Sequence, residues 1–108
     1  GVVAICDALQ SRECEIIALD LGNNSMTDVG GAAVARLLHA KRSLREVNLY
    51  MNDIGDAGVA KLAPALRENK SLTTLDLGGN AISPVGARSL AAGLKGHTKL
   101  RSLELGYN

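Results

Sequence analysis

Leu72-Thr73-Thr74-Leu75-Asp76-Leu77-Gly78-Gly79-Asn80-Ala81-Ile82 sets apolar residues at its first, fourth, sixth and last places and an asparagine two before the last. The frame recurs in the same chain. It opens at Ile16, Leu44 and Leu100, passes through Leu19, Val47 and Leu103, then Leu21, Leu49 and Leu105, and turns at Asn24, Asn52 and Asn108. Every occurrence lies 28 residues from the next. A fixed period of this length means a stack of like units, each touching only its neighbours, rather than a globule around one centre.

Each unit divides into two patterns. Leu19 and Leu21, Val47 and Leu49, Leu75 and Leu77, and Leu103 and Leu105 alternate with non-buried types, the period of a strand with one face covered. Val34 and Leu38, Leu62 and Leu66, and Leu90 and Leu94 are four apart, one stripe on a helix. Thr27, Gly55 and Ser83 fill the column expected to cap the helices, followed by Asp28, Asp56 and Pro84, types suited to a first helical turn. Gly30, Gly58 and Gly86 recur inside the helices, where glycine costs about 1 kcal/mol each. They imply a close approach of the helix and strand layers. Pro64, about two turns into the second helix, predicts a short or bent element there.

The amino-terminal stretch fits the scheme with one extra residue. Val2, Ile5, Cys6 and Leu9 have helical spacing, Gly1 falls in the glycine column, and Ser11 to Glu15 absorb the insertion. The expected division is a partial repeat at 1–15, repeats at 16–43, 44–71 and 72–99, and a partial repeat at 100–108. With no polar cap at either end, a segment cut from a longer array is expected.

The residues from Leu72 to Ile82 resemble the LxxLxLxxNxI pattern of leucine-rich repeats. The 28-residue length and the Gly-Ala-x-x-Leu-Ala helices resemble the ribonuclease-inhibitor-like subclass, which includes the arrays of NOD-like receptors and the GTPase-activating protein of Ran. The resemblance implies an α/β solenoid, a horseshoe with parallel strands on the concave face and helices on the convex face. It further implies that Asn24, Asn52, Asn80 and Asn108 form a structural ladder, each amide bonded to the backbone of its own turn and of the next. Uniform repeats without Trp are closer to the receptor and Ran-activator branch than to ribonuclease inhibitor itself.

Alternation names the residues that face the groove: Asp20, Asn48, Asp76 and Glu104 in one column, Ala18, Glu46, Thr74 and Ser102 in a second, and Gly22, Tyr50, Gly78 and Gly106 in a third. These columns hold four acids and no base. Arg36, Lys41, Arg42, Lys61, Arg67, Lys70, Arg88, Lys95 and Lys99 fall on helices and the loops after them. A net charge of +1 therefore conceals an acidic groove and a basic back. The expected function is binding of a protein partner with a basic surface, through Asp20, Glu46, Asn48, Tyr50, Thr74, Asp76, Ser102 and Glu104. A GTPase activator resembling that of Ran, and a structural or assembly spacer, are the alternatives.

Other chemistry finds little footing. Cys6 and Cys14 have no Cys or His pair to complete a metal set, and a disulfide between them stays open. Asp20, Asp76 and Glu104 lie on an open strand face without a nucleophile or basic partner, so no enzyme, cofactor, metal or small-molecule substrate is expected. Scattered basic residues without interleaved aromatics argue against nucleic acid. No apolar run reaches the roughly 18 residues of a membrane span. His39 and His97 are expected to meet free carbonyls at helix ends. The sequons at Asn23 and Asn69 read as chance, in a cytoplasmic or, alternatively, nuclear protein.

Overall fold

Leucines that alternate along three-residue strands and repeat every fourth residue along helices can all be buried only between two layers. The computed structural model shows those layers in residues 1–95 and 99–108, which are the residues described. The order is α1 (Val2–Leu9), β1 (Ala18–Asp20), α2 (Thr27–Ala40), β2 (Glu46–Asn48), α3 (Gly55–Glu68), β3 (Thr74–Asp76), α4 (Pro84–Leu94) and β4 (Ser102–Glu104). The strands form one parallel sheet in sequence order, and each pairs with its successor in a register of 28 residues: Leu19 with Val47, Val47 with Leu75, Leu75 with Leu103. This is an α/β solenoid. Parallel strands stack about 4.8 Å apart, whereas packed helices need 8–10 Å, so the helix side must fan outward. The core between the layers is a continuous ladder of Leu44, Leu49, Leu72, Leu75 and Leu77 against Leu38, Leu62, Leu66 and Leu90.

The turns after the strands are held by asparagine. Asn52 and Asn80 are completely buried. Asn52 Oδ1 accepts the N–H groups of Asn24 at 2.8 Å and Met26 at 3.4 Å, while its Nδ2 donates to the carbonyls of Leu21, Leu49 and Tyr50. Asn80 repeats the pattern onto Asn52 and Ile54, and Asn108 onto Asn80 and Ile82. Each amide thus serves its own turn and the preceding one, not the following one as expected. The reason is the rise of the solenoid: the side chain points back under the turn it was stacked upon.

The helix starts also differ from expectation. α2 and α3 begin at Thr27 and Gly55 themselves; Ser83 Oγ accepts from Val85 N–H at 3.2 Å, and Thr27 Oγ1 makes the same contact with Val29 N–H at 3.4 Å. Thr27 and Gly55 are instead placed by bonds between repeats, Thr27 N–H to Asn52 O at 3.0 Å and Gly55 N–H to Asn80 O at 2.8 Å. Those bonds hold both residues in left-handed backbone, at φ 59° and 69°. Pro64 does not shorten α3, which has the 14 residues of α2; it lies on the exposed outer face, where water reaches the backbone it leaves unpaired.

The recurring glycines make room for something other than the strands. A side chain at Gly58 would meet Ile54 Cγ2 at 2.3 Å and the backbone of Asp28 at 3.3 Å, and one at Gly86 would meet Asp56 Oδ1 at 2.2 Å. The close approach is to the residue four earlier and to the start of the previous helix. At Gly86 it lets the Asp56 carboxylate accept from Ser83 Oγ and from Ser83 N–H at 2.9 Å.

Two polar residues near the helix C-termini complete the frame. Lys41, placed by its sequence among exposed bases, is only 6% exposed, and its ammonium donates to the carbonyls of Ser11 and Cys14. It therefore straps down the loop that absorbs the amino-terminal insertion. Asn69, one repeat later, is 1% exposed, donates to Leu38 and Lys41 carbonyls, and accepts from Ser71 and Leu72 N–H. Its sequon is sealed in the folded chain. His39 meets Glu68 Oε2 of α3 at 3.3 Å rather than helix carbonyls, and His97 lies outside the described residues. Cys6 and Cys14 are free thiols, and burial pushes the Cys6 thiol up.

Replacing Asn52 by Ala strands buried donors and acceptors in two turns. It is expected to lower the unfolding free energy by about 3 kcal/mol or more, read by urea denaturation. Asn24→Ala, at a more exposed rung, is expected to cost about 1 kcal/mol; equal losses would show that the ladder does not carry the turns.

The hydrogen bonds from Ser83 hold the Asp56 carboxyl below its ordinary range. The stabilisation it lends is present above the unfolded-state value, near 4, and is lost as pH falls through the lower folded value. The stability gap between the chain and its Asp56→Asn variant is therefore expected to be widest near neutrality and to close in acid, in thermal melts run across pH.

Candidate functional site

The side chains left outside the two layers on the strand side form a regular array, because the register puts each column on consecutive rungs. Ala18, Glu46, Thr74 and Ser102 pair in one line and Asp20, Asn48, Asp76 and Glu104 in another. A shallow groove of about 430 Å³ runs along them, lined among others by Asp20, Glu46, Asn48, Thr74, Asp76 and Glu104. Six of the eight residues expected to meet a partner are thus brought together. Ser102 stands in register with Thr74 but outside the lining, and Tyr50 lies beyond the strand ends. Its half-buried ring covers the next turn, where a side chain at Gly78 would meet Tyr50 Cδ2 at 2.9 Å.

The acidic column has a second occupation. Asp20 Oδ1 accepts from Gly22 N–H, Asn48 Oδ1 from Tyr50 N–H and Asp76 Oδ1 from Gly78 N–H, each at 2.9 Å. A short oxygen-bearing side chain that bonds the N–H two residues on closes an Asx turn. All three therefore end their strands, and Asp20 and Asp76 charge the groove as well. The spacing Asp-x-Gly and Asn-x-Tyr carries that signal in the sequence. Each carboxylate keeps its second oxygen for the groove. Glu104 is the one acid of the column with a longer arm.

Beyond the bases on the helices and following loops, the column one residue before the strands carries its own. Thr73 N–H donates to Arg45 O and Arg101 N–H to Thr73 O, both at 2.8 Å, so the pairing continues through Arg45, Thr73 and Arg101. These three and Lys99 line a second depression of about 690 Å³. Extending the strand register by one residue would have found it. The strand starts therefore carry a basic concavity separate from the acidic groove.

Among the described residues, no group of three His, Cys, Asp or Glu side chains is placed to hold a metal ion, and no helix is long and apolar enough to cross a membrane. The arrangement offers an open, hydrated, charged surface suited to contact with another macromolecule.

Asp76→Ala is expected to cost about 1 kcal/mol by opening the Asx turn, whereas Asp76→Asn, which copies Asn48, is expected to leave stability unchanged. Urea titrations of both variants check this; matched losses would remove the turn-closing role.

Three segments of the chain, residues 16–35, 40–63 and 68–91, match the family model described as "Leucine Rich repeat" and together make up more than half its length. No curated protein matches the chain.

Proposed function

The chain belongs to the leucine-rich repeat family, and from that premise we propose that it is a protein-interaction array that takes its partner on the strand face, with a cationic surface of the partner against the acidic groove. Leucine-rich repeats generally mediate protein–protein contact, and solenoids of this kind offer an extended, inward-curving surface for it. The observation that carries the reading is the convergence of Asp20, Glu46, Asp76 and Glu104 on one groove of an open sheet. Such a field steers encounter and orients the partner more than it adds affinity. Tyr50, held over Gly78, supplies a fixed aromatic edge beside the charges.

The constant spacing of 28 residues supports placement in the ribonuclease-inhibitor-like subclass. The two free thiols are in keeping with a reducing compartment, the cytoplasm or nucleus. No observation favours GTPase activation or a passive spacer over partner binding.

Random peptides displayed and selected against the chain, then titrated by calorimetry, test the proposal. Selected binders are expected to be rich in Lys and Arg and to lose about tenfold or more in affinity against the Asp76→Lys, Glu104→Lys variant, a loss of roughly 1.4 kcal/mol. Undiminished affinity would overturn the strand-face reading.

A further inference from the structure

Arg45, Thr73 and Arg101 stand on successive rungs, so the two arginines are separated by two strand spacings, roughly 10 Å. Lys99 joins them at the rim of the same depression. All three cations are exposed and Thr73 is half-buried between them. Among the described residues none of these cations forms an ion pair, although Glu46, Asp76 and Glu104 belong to the same strands. The acids line the other groove instead. The cations line one concavity and the acids the other, even where Arg45 and Glu46 are neighbours in the chain. On the last rung Arg101 and Glu104 lie three residues apart, roughly 10 Å at the rise of a strand.

We propose that Arg45, Lys99 and Arg101 form an anion-binding cleft that takes a phosphoryl or carboxylate group of the same partner segment whose cationic side chain enters the acidic groove. Arginines flank Thr73 on the neighbouring rungs, and a guanidinium is a planar donor able to bind anionic oxygens in bidentate fashion. The Thr73 hydroxyl, which donates to Arg45 O at 3.1 Å, retains acceptor capacity only, so the anion is held by the cations. A partner segment bearing an anion and a cation about 10 Å apart then has one polarity on the sheet: anion over the strand starts, cation over the strand ends. The pairing of the two concavities in one partner rests on the reading given under Proposed function; the anion site itself does not.

Three probes separate these claims, each titrated into the isotope-labelled chain and followed by amide chemical shifts. Inorganic phosphate is expected to move the amides of Arg45, Thr73 and Arg101 saturably, with a response weakened about tenfold in Arg45→Ala, Arg101→Ala. The Arg45→Lys, Arg101→Lys variant keeps the charge without the forks and is expected to fall between. Shifts of equal size around Arg36, Lys61 and Arg88, or no saturation, would overturn the cleft. The capped peptide phosphoserine-Gly-Gly-Arg is expected to bind about fivefold or more tightly than phosphoserine-Gly-Gly-Ala, with the gain abolished by Asp76→Lys, Glu104→Lys. If phosphate binds but the arginine adds nothing, the cleft stands and its coupling to the acidic groove is overturned. Glu-Gly-Gly-Arg in place of the phosphopeptide tells a carboxylate ligand from a phosphoryl one by which binds more tightly.

Discussion

A buried turn cannot leave its backbone amides unpaired, and in this chain the side chain of one asparagine per repeat answers for two turns at once. Everything else in the stack is arranged around that constraint. The leucines of the strand can point inward in a fixed register because the turn that follows them is held in one conformation. The glycine-lined helix starts can crowd the previous helix because Thr27 and Gly55 are pinned by carbonyls of the next turn. Hydrophobic burial supplies most of the driving force for such a stack, but it is non-directional. The amide ladder supplies the register, since an unmet buried donor costs far more than a met one contributes.

The alternation at Leu75 and Leu77 and the four-residue spacing at Leu62 and Leu66 made the two-layer solenoid legible before any coordinates, because both periods are local and repeated. What was not legible depends on contacts across repeats. The direction in which Asn52 and Asn80 reach is set by the rise of the stack, which no single repeat encodes. Lys41 and Asn69 occupy equivalent places and both bind backbone of the preceding repeat, yet a cation and an amide share no pattern by which a reader would align them. Left-handed backbone recurs at Asn23, Met51, Gly79 and Tyr107 and again at Ser25, Asp53 and Ala81. Gly79, Asn23 and Asp53 are types that favour the conformation, whereas Met51, Tyr107, Ser25 and Ala81 hide it.

The strand face shows the same division. Its acidic columns follow from period two, and six of the expected residues do meet in one groove. Those columns begin at Glu46 and Ser102, so Arg45 and Arg101, one residue earlier, fall outside the period-two pattern. The Asx turns at Asp20, Asn48 and Asp76 add a structural cause for part of the acidity. The turn itself asks for Asp or Asn with equal force, and Asn48 meets it without charge. The charge at Asp20 and Asp76 is therefore surplus to the turn, as is that at Glu46 and Glu104.

The backward reach of the asparagines gives the stack an arrow. The N–H groups of Asn24 and Met26 find their acceptor only in Asn52, and those of Asn52 and Ile54 only in Asn80. A repeat is thus finished by the one that comes after it. Where a stack meets solvent at its carboxyl side, the N–H groups of the final turn take water as their acceptor; at its amino side, the first asparagine amide donates to water in place of a carbonyl. During synthesis, which delivers repeats in the same order, the youngest turn is always the unsettled one and each arriving asparagine closes the turn before it. The two ends of such a solenoid therefore differ in what they offer solvent: backbone donors at one, a side-chain amide at the other.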